Sequence, residues 1–217
     1  MATNPDPSAP RSEILRASPR MFDSPLLDRM SRVHPVVVPL IFAPAIVLTF
    51  AFALDGGVPL GKALLLAAGG WLFWTLTEYW LHRIVFHFEP EDGIGARLHW
   101  IIHGVHHDHP NDPMRLVMPP SVSVPLSSLF CLAFIAALGT DPGLAWSAGF
   151  LLGYLMYDMT HYFVHHATPK SRVAKKLREL HMRHHFQDDT KGFGVSAPYW
   201  DYIFGTAPRS RRDAGDE

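Results

Sequence analysis

The sequence predicts an all-α membrane protein, with four transmembrane helices in two hairpins and a helical, histidine-rich cap on the cytoplasmic side. Three observations lead there. Four apolar segments approach the roughly 20 residues that a helix needs to cross a bilayer. Short turns containing Gly and Pro join those segments in pairs. The histidine clusters and most of the Lys and Arg residues fall on the one side that the turns leave over.

Residues 1–34 mix Pro, Asp and Arg and lack the short apolar run and small-residue cleavage site of a signal peptide. They read as a polar, partly disordered N-terminal segment, with a short amphipathic element near Ser24–Val33 suited to a membrane surface.

The first span is "PVVVPLIFAPAIVLTFAFAL" (35–54), 20 residues without a charge. Pro39 and Pro44 would kink it, which a membrane helix tolerates. The turn "DGGVPLGK" (55–62) leads to the second span, "ALLLAAGGWLFWTLTEYWL" (63–81), whose single charge is Glu78. The third span is "SVSVPLSSLFCLAFIAALG" (121–139); the turn "TDPG" (140–143) leads to the fourth, "GLAWSAGFLLGYLMY" (143–157), which runs on as "DMTHYFVHH". The N-terminus, residues 82–120 and residues 158–217 then share one side. That side carries Arg11, Arg16, Arg20, Arg29, Arg32, Lys170, Arg172, Lys175, Lys176, Arg178, Arg183 and Lys191, against Lys62 alone on the other. The charge bias places both termini in the cytoplasm. A span-bearing domain at 35–207 and a disordered tail at 208–217 complete the division.

Composition narrows the chemistry. The formal net charge of −1 gives no basic field for nucleic acid. The single cysteine, Cys131, excludes an internal disulfide and a cysteine-based metal site, and reads as a small apolar residue. The 14 histidines are the anomaly. "HRIVFH" supplies His82 and His87, "HGVHH" His103, His106 and His107, "HYFVH" His161 and His165, and "HMRHH" His181, His184 and His185. Residues three and four apart share a helix face, so each of the last three sets is expected to converge on one side of its helix. Imidazole is the commonest metal ligand, and ten ligands suit two ions with about five each. His34 and His109 read as polar interfacial residues, and His99 and His166 as non-ligands. Glu78, Asp158 and Asp201 are candidates to support ligating imidazoles from behind, since such a ring gives its other N–H to a carboxylate or carbonyl.

These boxes resemble those of the membrane fatty acid hydroxylase and sterol desaturase superfamily, and most closely its fatty acid 2-hydroxylase branch. "HGVHHDHPNDPMRLVMPP" (103–120), "YDMTHYFVHH" (157–166) and "GFGVSAPYWDYIFGT" (192–206) extend the resemblance beyond the histidines, over about residues 35–207. The resemblance implies ligation by the ten histidines of the boxes, a two-metal centre with iron in function and zinc as an alternative, and O2 as co-substrate. It implies a lipid substrate drawn from the membrane and attacked beside its acyl carbonyl. Many eukaryotic members carry an N-terminal haem domain for which residues 1–34 are too short, so electrons are expected from a separate protein. Tyr154, Met156, Tyr157, Tyr199 and Trp200 are candidates to line the substrate path.

Three other readings compete. A sterol or carotenoid could be the substrate within the same superfamily. A membrane metal transporter would hold its site near the bilayer midplane, whereas the clusters here lie at or beyond the span ends. A bis-histidine haem carrier would need only paired histidines.

Overall fold

The computed structural model describes residues 8–88, 90 and 92–208, and every regular element among them is helical. The first seven residues of the N-terminal segment and, Pro208 apart, the expected disordered tail at 208–217 lie outside the described residues.

The bundle consists of α3 (Val37–Asp55), α4 (Leu60–Trp80), α7 (Pro120–Leu138) and α8 (Thr140–His166). Among the described residues three helical stretches, Val37–Asp55, Leu60–Phe86 and Pro120–Leu138, are long and apolar enough to cross a membrane. Their outer faces present Leu40, Val47, Leu65, Leu129 and Leu132, all more than 60% exposed. A helix that is apolar all round needs protein or lipid on every side, and here protein covers one side only.

The fourth expected span is different. Residues 143–157 belong to α8, a continuous helix of 27 residues, about 40 Å long, that carries Asp158, His161 and His165 in its second half. It packs against α3, α4 and α7 together and buries 14 side chains or glycines along its length. Its neighbours supply the apolar surroundings that lipid supplies to the others, so its sequence carries more polar residues. Small residues allow the close approach: a Cβ at Gly149 would overlap the Ala67 carbonyl of α4, and one at Gly70 the Trp146 carbonyl of α8. Around them Phe42, Trp74, Phe150 and Tyr154 pack in edge-to-face pairs with centroids 4.6–5.3 Å apart.

The turns also differ from the sequence reading in one place. Residues 140–143 do not form the second connection; they are the first turn of α8, and the link from Leu138 to Thr140 is Gly139 alone. Its φ of 84° lies in the left-handed region open to glycine, which lets one residue reverse the chain. A Cβ at Gly56 would overlap the Asp141 side chain, so both turns lie at the same end of the bundle.

At the opposite end, α4 runs straight into a π-helical stretch, Leu81–Phe86, and α5 (Gly93–His99) runs into another, Trp100–Gly104, before α6 (Val105–Asp108). The amphipathic α9 (Arg172–Phe186) and the short α10 (Tyr199–Ile203) close this end. Ser171 caps α9 by accepting the Ala174 N–H at 3.1 Å.

The N-terminal residues from 8 onward cross the same end, with α1 at Arg11–Ile14 and α2 at Pro25–Met30 inside the expected amphipathic element. Leu26, Leu27 and Met30 of α2 are exposed. The Asn111 N–H donates to the Leu15 carbonyl at 2.9 Å, and the Val33 N–H to the Met114 carbonyl at 2.7 Å. Arg115 pairs with Asp28 at 2.9 Å. His109, expected at an interface, is buried instead, with Nδ1 against the Ile14 carbonyl. Once the N-terminal segment covers the loop after α6, that imidazole needs an internal partner, and the carbonyl serves.

Candidate metal centre

The elements at this end converge their histidines into two groups of five. His82, His87, His103, His107 and His184 form the first, and His106, His161, His165, His181 and His185 the second. Each group is built from two pairs and one single residue.

The pairs follow helix geometry. His103 and His107, His161 and His165, and His181 and His185 are each four apart and share a face. His82 and His87 are five apart, a spacing that an α-helix would splay. The π-helical turn corrects this, closing an N–H to carbonyl bond from His87 to His82 at 3.2 Å. The single residues are His106 and His184, which point to the group opposite their neighbours. The H-x-x-H-H boxes therefore do not converge on one side, as the spacing suggests. Adjacent residues on a helix diverge by about 100°, so each box serves both groups. The ring of His107 in the first group stacks on that of His185 in the second with centroids 4.2 Å apart, so the groups adjoin.

Within each group it is Nε2 that faces Nε2. In the first, His82–His103, His87–His184 and His103–His107 stand 3.2, 3.1 and 3.0 Å apart. In the second, His106–His161, His165–His181 and His181–His185 stand 3.0, 2.8 and 3.1 Å apart. Two imidazole nitrogens bonded at about 2.0–2.1 Å to one cation at right angles would lie about 3 Å apart. The donor set thus fits a transition-metal ion in each group.

Electrostatics keep the lone pairs available. Burial, followed by the charge that His184 would carry, pushes His107 down to about 2 and His87 down to about 3. Burial pushes His103, His106, His181 and His185 well below the usual imidazole range too, and neighbouring rings add to it. At neutral pH these imidazoles are uncharged, which is the form that binds a metal.

The supporting groups are arranged differently from the sequence expectation. The Nδ1 of His82 faces the Phe193 carbonyl at 2.7 Å, and the Nδ1 of His184 faces the Lys191 carbonyl at 2.7 Å. Glu78 accepts from the Ser196 N–H at 2.7 Å and from the Ser196 hydroxyl. Asp201 accepts from the N–H groups of Phe193 and Gly194, both at 2.9 Å, and from the Thr206 hydroxyl at 2.8 Å. These two carboxylates hold the 193–196 segment, and that segment's Phe193 carbonyl faces His82. Asp158 accepts the Tyr154 hydroxyl at 3.2 Å and the Met118 N–H at 3.4 Å, tying α8 to the segment that leads into α7.

Of the expected lining residues, Tyr157 is buried and stacks on His161 with centroids 5.8 Å apart. Tyr154 is buried in the bundle core. Met156 is 47% exposed on the outside of the bundle. Tyr199 and Trp200 both donate to the Thr75 hydroxyl, at 2.8 and 3.1 Å, and dock α10 on α4. His34 is exposed, and His166 is exposed with its ring tilted against that of Tyr162, centroids 4.6 Å apart. Sequence reasoning missed the carbonyls of Lys191 and Phe193, which have no residue signature. It also missed Phe86, which stacks on His103 at 5.1 Å; the five-residue spacing of "HRIVFH" was the available sign of a π-turn there.

Comparison with known proteins adds the following. A family model described as fatty acid hydroxylase matches residues 67–206. The chain is 38% identical over 194 residues to a dihydroceramide fatty acyl 2-hydroxylase of Arabidopsis thaliana, covering 88% of this chain and 80% of that one. It is 39% identical to a ceramide very long chain fatty acid hydroxylase of Saccharomyces cerevisiae, covering 83% of this chain and 47% of the relative. It is 35% identical to the human fatty acid 2-hydroxylase, covering 86% and 56% respectively. Among solved structures, full-length scs7p, in which only the hydroxylase domain is visible, matches with a TM-score of 0.80 and 37% identity, over 85% of this chain and 71% of that chain.

Proposed function

Because the chain belongs to the fatty acid hydroxylase family, we propose that it is a membrane-bound 2-hydroxylase of long-chain fatty acyl groups, free or within a ceramide-like lipid. The observation that carries this reading is the pair of five-imidazole groups at one end of an apolar-surfaced helical bundle. The relatives' printed activities support the position of attack.

The net reaction converts a CH2 group, O2, two electrons and two protons into CHOH and water. Two redox-active metal ions, iron in this reading, would supply the O2 activation that side chains lack; zinc, which the imidazoles also accept, has no redox chemistry and would leave the centre inactive. The first would be held by His82, His87, His103, His107 and His184, and the second by His106, His161, His165, His181 and His185. The chain's own residues do the remaining work. Seven of the ten imidazoles are buried, which keeps bulk water from them and favours their neutral form. The Phe193 and Lys191 carbonyls fix two ring orientations. The ring of Tyr157 packs His161 into place from α8.

The chain sits in the bilayer as four spans, with α8 as the enclosed fourth. The Lys and Arg bias supports a cytoplasmic metal centre and cytoplasmic termini. A lipid whose head is held at that edge keeps its tail among α3, α4 and α7 and brings the first carbons of its chain nearest the centre. Electrons come from a separate carrier protein or reductase.

The test is expression with a suitable reductase under 18-oxygen gas, followed by lipid mass spectrometry. The expected product is a 2-hydroxy acyl lipid carrying one labelled oxygen. Label arriving from heavy-oxygen water, or hydroxylation confined to a sterol or carotenoid ring, would refute the reading.

A further inference from the structure

The two histidine groups are alike in number and unlike in what stands behind them. In the first, two of the five rings have an acceptor facing Nδ1: the Phe193 carbonyl for His82 and the Lys191 carbonyl for His184, both at 2.7 Å. In the second, the Nδ1 atoms of His181 and His185 are buried with no hydrogen-bond partner among the described residues. A neutral imidazole that binds a cation through Nε2 carries its proton on Nδ1. Binding makes that N–H more acidic, so an acceptor for it strengthens the metal bond and its absence weakens it. Loss of such a partner typically lowers metal affinity by about 10–100-fold.

The acceptors of the first group are also rigid. The Phe193 carbonyl lies in a segment whose N–H groups at Phe193 and Gly194 are held by Asp201. Glu78, one turn before His82 on α4, takes the N–H and hydroxyl of Ser196 in the same segment. Lys191 adjoins Gly192, whose N–H donates to the Thr206 carbonyl at 2.8 Å. His181 and His185 lie on α9, and among the described residues no hydrogen bond joins their group to the 191–196 segment.

We infer that the two metal positions are unequal: the position formed by His82, His87, His103, His107 and His184 retains its ion more tightly than the position formed by His106, His161, His165, His181 and His185. The inference rests on the two-metal reading above. Glu78 and Asp201 are positioning residues for the tight position, acting through the 191–196 segment without touching the ion.

The experiment uses the intact protein in detergent, loaded with cobalt(II) and titrated with a chelator. Metal per chain is read by elemental analysis, and the ion left at half-depletion is located by anomalous scattering. The expected result is release in two steps separated by at least about tenfold in free chelator, with the remaining ion in the first group. Release of both ions in one step, or survival of the ion in the second group, would overturn the inference and leave the two-metal reading intact. No bound ion before chelation would overturn both. Asp201→Asn, or Glu78→Gln if the first variant does not fold, is expected to weaken retention in the first group and leave the second group's step in place. An unchanged first-group step in a folded variant would remove these residues from the positioning role.

Discussion

His87 and His107 show what burial does to a single imidazole at this site. They are pushed to about 3 and about 2 respectively, by burial first and by His184 next. Unfolding returns each to about 6.5, so below that pH the unfolded chain binds protons that the folded chain refuses. These groups therefore contribute full stability above pH 6.5 and progressively less as the pH falls toward their folded values. Metal-free protein in detergent should show a thermal midpoint that drops between pH 7.5 and pH 5.5, and a midpoint that rises on acidification would contradict this. That these ten histidines would gather was readable for the eight at three- and four-residue spacing, which share helix faces, while the five-residue spacing of His82 and His87 needed the π-turn to bring them together. Two groups of five were expected from the count, but which histidine joins which group was not legible. His106 and His107 are neighbours in the chain yet belong to different groups, which follows from helix geometry only once the partner helices are in place. The sequence offered Glu78 as a support for a ligating imidazole; that it bonds Ser196, in the segment whose Phe193 carbonyl faces His82, was not legible.

The π-helical turn at Leu81–Phe86 is the element on which the first group most depends. It places His82 and His87 together by lengthening one turn by one residue. Deleting Ile84 should return the stretch to α-helical geometry, with His87 renumbered to a spacing of four but rotated relative to α9. Because the deletion also shifts everything after it, metal content is the informative measurement. The expected outcome is loss of about one ion per chain with helix content by circular dichroism unchanged, and retention of both ions would show that the turn is dispensable. Helix existence was readable from the apolar runs. The single-residue turn at Gly139 was not, because Pro142 looks like loop chemistry although proline is at ease in the first turn of a helix. The difference between α8 and the other bundle helices was visible only as a higher polar content, whose cause is the cover given by α3, α4 and α7.

Across the whole molecule, the two turns lie at one end of the bundle and the histidine groups at the other. If the chain crosses the bilayer four times, a reporter inserted at Gly57 and one fused after Pro208 should fall on opposite sides of the membrane. Finding both on the same side would refute the hairpin arrangement. The hairpins themselves were legible from the spacing of the apolar segments, while the docking of the N-terminal residues on the loop at 109–115 was not, since it depends on backbone groups and on the long-range Arg115–Asp28 pair. The division of each metal position among distant segments has a further consequence. His82 and His184 belong to the same group, and so do His106 and His185. An ion in either position would act as a cross-link. The larger of the two closed loops spans about a hundred residues, and a covalent link of that length withdraws about 4–5 kcal/mol of chain entropy from the unfolded state. Ions bound this way would make the unfolding barrier depend on ligand release, so the lifetime of the folded protein in the membrane would be set by how slowly its imidazoles let go.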